Sequence, residues 1–340
     1  MPALHPDEVL AATGAVAGAL PVCEHYAGNE KKLAKALALQ QSRHGDFDVT
    51  IDLEDGAVAG QEKETVAAQV ALVNQFFSDP ANHVRRPDGS ACRFGCRVHP
   101  FDHPSFADDV HALAHGLKLP LAYLTLPKPA HLAEAKQAIA HAAQVFQSTG
   151  KPLPPMQVMI ETHGALRDVF ALAELPEVQM ISFGQMDFTS AHNGAIPASA
   201  MRSPGQFDHV LMRRAKVELS AACHAASITP THGPTVDYND VEQTRSDAQR
   251  AKDFGFLRMW SIHPAQIEPI VSTFAPGQDE IDEAANLLLA AQAADWGPIA
   301  FGGKLHDRAS YRYFWSLLKK AHNMSRPIPA QATESFFNPL

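Results

Sequence analysis

With 340 residues, 46% of them apolar and 19% charged, the chain suits one large domain or two small ones and can bury a sizeable core. That composition excludes a disordered chain, a collagen and a disulfide-stapled miniprotein. A net charge of −9 without any basic cluster argues against a nucleic-acid partner, and no apolar run approaches the ~20 residues that span a bilayer.

The chain opens with MPALHPDEVLAATGAVAGALPV, which carries Asp7 and Glu8 and lacks a basic start. It reads as a helix leading into a strand, not as a signal peptide. Candidate strands follow at 20–24, 48–53, 92–98, 121–126, 156–160, 178–183, 227–231 and 258–262. They are continuously apolar rather than alternating, as strands buried on both faces are. Helix-like stretches lie between them, at 61–77, 105–117, 130–147, 164–174, 206–226 and 239–254. In the first, Val66, Val70, Val73 and Phe77 share a face at spacings of three and four. Strands alternating with helices predict a parallel sheet, and a count of eight favours a closed (β/α)8 barrel over an open sheet. On this reading 1–265 form the barrel, and 266–340 form a C-terminal helical extension of the same unit. The stretch 326–340 is expected to be loosely held. The cysteines Cys23, Cys92, Cys96 and Cys223 show no framework spacing and fit the reduced thiols of a cytoplasmic protein.

In a parallel barrel the active site lies at the C-terminal strand ends. Glu54 and Asp55 follow strand two, Arg97 and His99 end strand three, and Lys128 follows strand four. Glu161, Thr162 and His163 follow strand five, Asp187 strand six, His232 and Gly233 strand seven, and His263 strand eight. Glu161 and Asp187 offer two hard oxygen ligands for Mg²⁺, with its other positions left to water and ligand. Arg97 offers a planar fork for a carboxylate. A metal with an Arg clamp is what a 2-oxo or 2-hydroxy acid needs.

Each residue also has a plainer reading. IDLEDG reads equally as a strand with an acidic turn. Glu161 reads as a carboxylate at a helix N-terminus, Arg97 as an interior ion-pair partner of Glu54, and Lys128 as a solvated loop lysine between two prolines. A lone His163 or His232 reads as a hydrogen-bonded structural residue. Clustering at one end of the barrel favours the functional readings over independent structural causes. The 18 histidines are an excess that raises metal or acid–base chemistry without locating it.

The motifs IDLEDGAVAGQEK, CRVHP, LPKPA, MIETHGAL, FGQMDF and IHPAQI occur in this order. They resemble the citrate lyase β-subunit branch of the HpcH/HpaI aldolase family, with malyl-CoA and citramalyl-CoA lyases, from about residue 20 to about residue 320. The resemblance implies a Mg²⁺-dependent TIM barrel, with Mn²⁺ as an alternative ion. It implies cleavage or formation of a carbon–carbon bond next to a CoA thioester, yielding or consuming a 2-oxo acid. It gives Glu161 and Asp187 as metal ligands and Arg97 as substrate clamp. It gives Glu54 a place among the catalytic residues, with Asp55 and Lys63 holding metal waters and the arginine. Lys128, His99 and His232 are expected at the substrate. Asp307, in FGGKLHDRAS, is expected as an acid/base carried by a lid, which implies a homo-oligomer, a trimer or hexamer.

The chain departs from the family pattern at four places. His99 replaces an asparagine, Met186 an acidic residue, Glu30 a basic residue and His232 an aspartate. Glu30 bears on the carrier and leaves a second reading open: an aldolase acting on free 4-hydroxy-2-oxo acids without CoA. A third is a non-catalytic subunit that binds an oxo acid.

Overall fold

The computed structural model describes residues 4–10, 20–56, 60–86 and 88–338. In chain order the elements are α1 (Pro6–Val9), β1 (Cys23–Ala27), α2 (Glu30–Ser42), β2 (Asp48–Asp52), α3 (Glu62–Phe76), β3 (Phe94–Arg97) and α4 (Phe106–Gly116). There follow β4 (Leu124–Leu126), α5 (Leu132–Ser148), β5 (Met156–Ile160), α6 (His163–Arg167), α7 (Val169–Ala173), β6 (Val178–Phe183), α8 (Gln185–Ser190), α9 (Gly205–Asp208) and α10 (Val210–Ala226). Last come β7 (Thr229–His232), α11 (Val241–Asp253), β8 (Arg258–Ser261), α12 (Ile267–Phe274), α13 (Gln278–Ala293), β9 (Ile299–Phe301), β10 (Lys304–His306), α14 (Arg308–Asn323) and α15 (Ala330–Phe336).

Strands β1 to β8 run parallel in sequence order, and β8 pairs back onto β1 to close a barrel. This is the expected (β/α)8 architecture. Several of the sequence-based boundaries move by two or three residues. The first strand begins at Cys23 rather than Leu20. The stretch after it, unassigned by periodicity, is α2, where Asn29 Oδ1 accepts the Lys32 N–H at 2.9 Å. That cap satisfies one of the free amides of the first turn, and Leu33, Ala36 and Leu37 face the core. The expected helix over 164–174 breaks at Asp168 into α6 and α7, and that over 206–226 breaks at His209, whose backbone is extended. The N-terminal helix expected before β1 is seen only as α1, because 11–19 lie outside the described residues.

Side-chain parity assigns the two faces of the strands. Glu24 of β1 receives a hydrogen bond from Gln157 of β5, 3.2 Å away on the opposite wall, so Glu24 and Gln157 point inward. The same layer holds Asp48, Thr50 and Arg258, with Arg258 Nη1 2.7 Å from Asp48 Oδ2. Tyr123 enters it from the residue before β4, where its hydroxyl pairs with Thr50 at 2.6 Å. Gly95 makes room for that ring, since a Cβ there would fall 2.2 Å from Tyr123 Cε2. The next inward residues toward the C-terminal end are Tyr26, Met159 and Trp260, which pack together. A polar layer therefore sits beneath an aromatic one. Buried charges of this kind are tolerated when they are paired.

Residues 20–274 form one compact unit, and α12 packs within it on β1, β8 and α11. Residues 4–10 and 275–338 form a second. Its core gathers Ile281, Leu288, Trp296, Tyr311, Trp315, Leu318 and Phe336. Trp315 Nε1 donates to Asp7 at 2.7 Å, and Trp296 Nε1 donates to the Leu4 carbonyl at 3.0 Å. The expectation of a loose 326–340 stretch is corrected for its described residues, 326–338: α15 forms and Phe336 is 2% exposed. The prolines at 327 and 329 end one helix and lead into the next. All four cysteines are free thiols. No helix among the described residues is long and apolar enough to cross a membrane.

Candidate active site

Five strand exits converge on one charged cluster. Asp52 ends β2 and Arg97 ends β3, as partners in the parallel register. Arg97 Nε lies 2.8 Å from Asp52 Oδ1 and Nη2 lies 2.9 Å from Oδ2. Nη2 also reaches Asp55 Oδ2 at 2.8 Å, and Nη1 pairs with Glu54 Oε2 at 2.8 Å. The guanidinium is buried and stacks over Tyr26, 5.2 Å from the ring centroid. Burial works against its charge, but Asp52 and Glu54 outweigh this and hold it firmly protonated. Sequence reasoning gave Arg97 two readings, a fork for a carboxylate and an interior ion-pair partner of Glu54, and the Glu54 pair is present. Asp52, which that reasoning left inside the strand, occupies the fork bidentately. Of five guanidinium N–H donors, the one on Nε and the two on Nη2 are hydrogen-bonded, while Nη1 meets Glu54 as an ion pair.

Lys128 follows β4 with φ at +50°, a region costing a non-glycine residue ~1–3 kcal/mol. Three contacts keep it there. Its N–H donates to Glu161 Oε2 at 3.0 Å, and its Nζ lies 2.7 Å from Glu54 Oε1 and 3.3 Å from Asp187 Oδ1. The solvated-loop reading of Lys128 is therefore set aside. Burial lowers its affinity for the proton, but the Glu54 hydrogen bond and the Glu161 and Asp187 charges more than restore it.

Glu161 follows β5 on the inward parity of Gln157 and Met159, and is 2% exposed. It is not the helix cap. Thr162 caps α6, its Oγ1 accepting the Ala165 N–H at 3.0 Å. Burial, reinforced by Glu54 and Asp187 and opposed by Arg97, pushes the Glu161 carboxyl up to about 8. Burial likewise raises Glu54, against the pull of Arg97 and Lys128. Asp187 sits in the first turn of α8, whose N-cap is Gly184. A Cβ on Gly184 would fall 2.1 Å from Glu161 Oε1, so only glycine leaves that carboxylate its place. Beneath the cluster, Tyr26 Oη and Trp260 Nε1 are buried without hydrogen-bond partners among the described residues, and such groups ordinarily meet water or ligand.

The site therefore brings together Glu54, Asp55, Arg97, Lys128, Glu161 and Asp187, and adds Asp52. His99 lies beside them, 2.6 Å from Asp109. His232 is placed elsewhere. It is the last residue of β7 on the outward parity, stacked on Phe207 at 5.1 Å with Phe256 against its edge. Burial and the neighbouring Lys216 keep it neutral. Lys63 is exposed on α3 and pairs with Asp108 at 3.0 Å. Asp307 lies in the second unit, where its Oδ1 caps α14 by accepting the Ala309 N–H at 2.9 Å.

Among the described residues no three His, Cys, Asp or Glu side chains are gathered as a metal-ligand set. The donor chemistry nevertheless fits a hard divalent cation that keeps most of its water. Among the described residues the carboxylates Asp52, Glu54, Asp55 and Asp187 form their ion pairs with Arg97 and Lys128, and Glu161 is raised first by its burial and then by the charges of Glu54 and Asp187.

Residues 28–264 match the family described as HpcH/HpaI aldolase/citrate lyase. The chain belongs to the HpcH/HpaI aldolase/citrate lyase family. It is a carbon–carbon lyase. A citrate lyase structure from Burkholderia xenovorans LB400 is 47% identical with a TM-score of 0.84, covering 98% of this chain and 100% of that one. The L-malyl-CoA/beta-methylmalyl-CoA lyase of Cereibacter sphaeroides is 26% identical over 292 residues, 82% of this chain and 88% of its own length. CitE of Mycobacterium tuberculosis, in complex with magnesium, acetoacetate and coenzyme A, is 20% identical with a TM-score of 0.66, covering 89% of this chain and 99% of that one. That last likeness carries the fold alone.

Proposed function

We propose that the chain cleaves or forms a 3-hydroxy-3-carboxyacyl CoA thioester, of the malyl-CoA or citramalyl-CoA type, interconverting it with an acyl thioester and a 2-oxo acid. The observation that carries this reading is the joining of Glu161 and Asp187, from neighbouring strand exits, through Lys128 beside an arginine fixed by Asp52. The Cereibacter relative acts on malyl-CoA by its name, and the Mycobacterium structure contains magnesium. Both support the reading.

Glu161 and Asp187 would hold Mg²⁺. Bound there, the ion supplies a Lewis acid for the oxygens of the oxo-acid part. The remaining work falls to the chain. Arg97 offers Nη1 to the substrate carboxylate. Asp55, two-thirds exposed on its side chain, is the partner most easily displaced from Nη2. Lys128 keeps Glu54 and Asp187 from repelling one another.

In the cleavage direction the substrate hydroxyl would pass its proton to a carboxylate of the cluster, with Glu54 proposed for it, as the bond to the thioester α-carbon breaks. The electron pair of that bond becomes the thioester enolate, which a proton then quenches. Asp307 is proposed for that last proton. The protein is proposed to act in the cytoplasm as a homo-oligomer. Glu30 sits exposed in the first turn of α2, an acidic side chain where the resemblance has a basic one, and this favours a second reading as an aldolase of free 4-hydroxy-2-oxo acids.

Steady-state assays with malyl-CoA, citramalyl-CoA and free 4-hydroxy-2-oxo acids, each with and without Mg²⁺, test both readings. Turnover of a thioester that needs Mg²⁺ and is abolished by Asp187→Ala is expected. Turnover of free acids alone selects the second reading. An active Asp187→Ala enzyme that ignores Mg²⁺ overturns the metal assignment.

A further inference from the structure

Between the exits of β2 and β3 lies a second group of titratable side chains, outside the metal-ligand pair. Pairing with β4 continues past the end of β3, since the Val98 N–H still bonds the Thr125 carbonyl at 3.3 Å. His99 therefore returns to the side of the strand that carries Arg97. Its Nδ1 lies 2.6 Å from Asp109 Oδ2, and its backbone N–H donates to the same oxygen at 2.9 Å. Asp109 is 1% exposed, and its Oδ1 has no hydrogen-bond partner among the described residues.

A carboxylate buried that deeply needs a positive partner, and the imidazole is the side chain in contact with it. Nδ1 therefore carries a hydrogen that it donates to Asp109. The ring cannot turn without breaking that bond, and it is stacked on His103 at 4.4 Å and 14°. The charged and titratable groups around it are Asp109 from α4, His103 from the loop before α4, Glu62 from the start of α3, Glu54 from the β2 exit, and Arg97 from its own strand. Burial lowers the basicity of the ring, but the Asp109 bond with the Glu62 and Glu54 carboxylates turns the balance upward. Nε2 is the nitrogen left for a ligand.

We infer that Asp109 is a positioning residue that locks His99 with its Nε2–H offered at the barrel mouth. There it forms a second donor, two strand residues from Arg97, for an anionic oxygen of the substrate. The inference rests on the lyase reading for the nature of that substrate. Two residues of strand span about 6.6 Å, so Arg97 and His99 engage different oxygens. The second oxygen belongs either to a further carboxylate on the oxo acid or to the enolate of the thioester.

The test uses the full chain labelled with ¹⁵N-histidine, with the His99 ring signals assigned through His99→Gln. The His99 ring is expected to hold its second proton to higher pH in the parent than in Asp109→Asn, with Nδ1 carrying its hydrogen throughout. With Mg²⁺ present, titration with oxaloacetate but not pyruvate is expected to shift Nε2 if a second carboxylate is bound. If the enolate is the ligand, neither acid shifts it. Exchange of the acetyl-CoA methyl hydrogens with D₂O then slows tenfold or more in both Asp109→Asn and His99→Gln. Either result supports the inference.

A parent His99 that titrates no higher than in Asp109→Asn overturns it. So does an unshifted ring in the oxaloacetate titration together with unslowed exchange in both variants. If Asp109→Asn does not fold, His99→Gln alone decides the exchange arm. The failure of the lyase reading looks different: no thioester or free acid turns over, while the His99 ring still titrates higher than in Asp109→Asn and answers oxaloacetate.

Discussion

Arg97 and Asp52 are register partners on adjacent strands, and their side chains meet in a two-point contact of 2.8 and 2.9 Å. The arginine is thus oriented before any substrate arrives, and Glu54 and Asp55 complete its surroundings. A preset guanidinium loses little rotamer freedom on binding a ligand. Its orientation is a property of the barrel itself, since the register of β2 and β3 dictates it.

Asp52→Asn is therefore expected to act on both folding and turnover. The amide keeps the shape but leaves a buried guanidinium short of charge, and breaking such a pair costs roughly 3–5 kcal/mol. Urea denaturation with an unchanged m-value reads the stability loss, and kcat/KM reads the misplaced arginine. A loss below about 1 kcal/mol would mean that Glu54 and Asp55 hold Arg97 unaided.

Gly184→Ala addresses the metal-ligand pair without touching a ligand. The added methyl would meet Glu161 Oε1 at 2.1 Å and the Glu161 side-chain carbons at 2.6 and 2.7 Å. Glu161 must shift, because the added methyl is fixed to the backbone between β6 and α8. The expected result is a folded protein, by near-UV circular dichroism, with Mg²⁺ affinity reduced tenfold or more by calorimetry. An unchanged affinity would remove Glu161 from the ligand set.

The barrel was legible in the sequence because eight apolar runs at regular spacing admit few other topologies. The cluster was legible because it sits directly after those runs. What escaped is instructive. Asp52 was read as strand because it is strand, and its role depends on a partner 45 positions away. His232 was read as a strand exit, yet β7 continues through it, and one residue of parity turns a side chain from the mouth to the helices. The 326–340 stretch looked loose because Pro-containing termini usually are. Phe336 nevertheless finds Trp315 at 5.8 Å, a contact that no local pattern encodes.

The raised Glu161 carboxyl gives a pH dependence with a definite sign. The folded group titrates near 8 against an ordinary 4.5, so folding favours its protonated form. Its contribution to stability is fully present below about pH 4.5 and is lost as pH rises toward 8 and beyond. In metal-free protein, Glu161→Gln should therefore raise Tm relative to the parent at pH 9 and leave it close to the parent at pH 4.5. Mg²⁺ favours the ionised carboxylate, so it should stabilise the parent more at pH 8.5 than at pH 6. Thermal scans over that range, with EDTA or Mg²⁺, decide both points. A Gln variant less stable than the parent at pH 9 would reverse the assigned direction.

Lys128 separates backbone from side chain. Its φ of +50° disfavours alanine and suits glycine. Its ammonium meanwhile offsets the surplus of carboxylates by pairing with Glu54 and Asp187. Lys128→Ala loses the ammonium and keeps the strain, while Lys128→Gly loses the ammonium and relieves it. Glycine should thus be more stable than alanine by about 1 kcal/mol, the usual size of this effect. Both variants should bind Mg²⁺ at least as tightly as the parent, because removing a cation from among carboxylates leaves more negative charge for the ion. Both should also lose turnover to the same degree, since the backbone difference does not restore the lost charge at Glu54. Equal stabilities would show that the Glu161 contact to the Lys128 N–H does not hold this residue in its strained conformation. Weaker Mg²⁺ binding in both would show that Lys128 organises the carboxylates more than it competes with the ion.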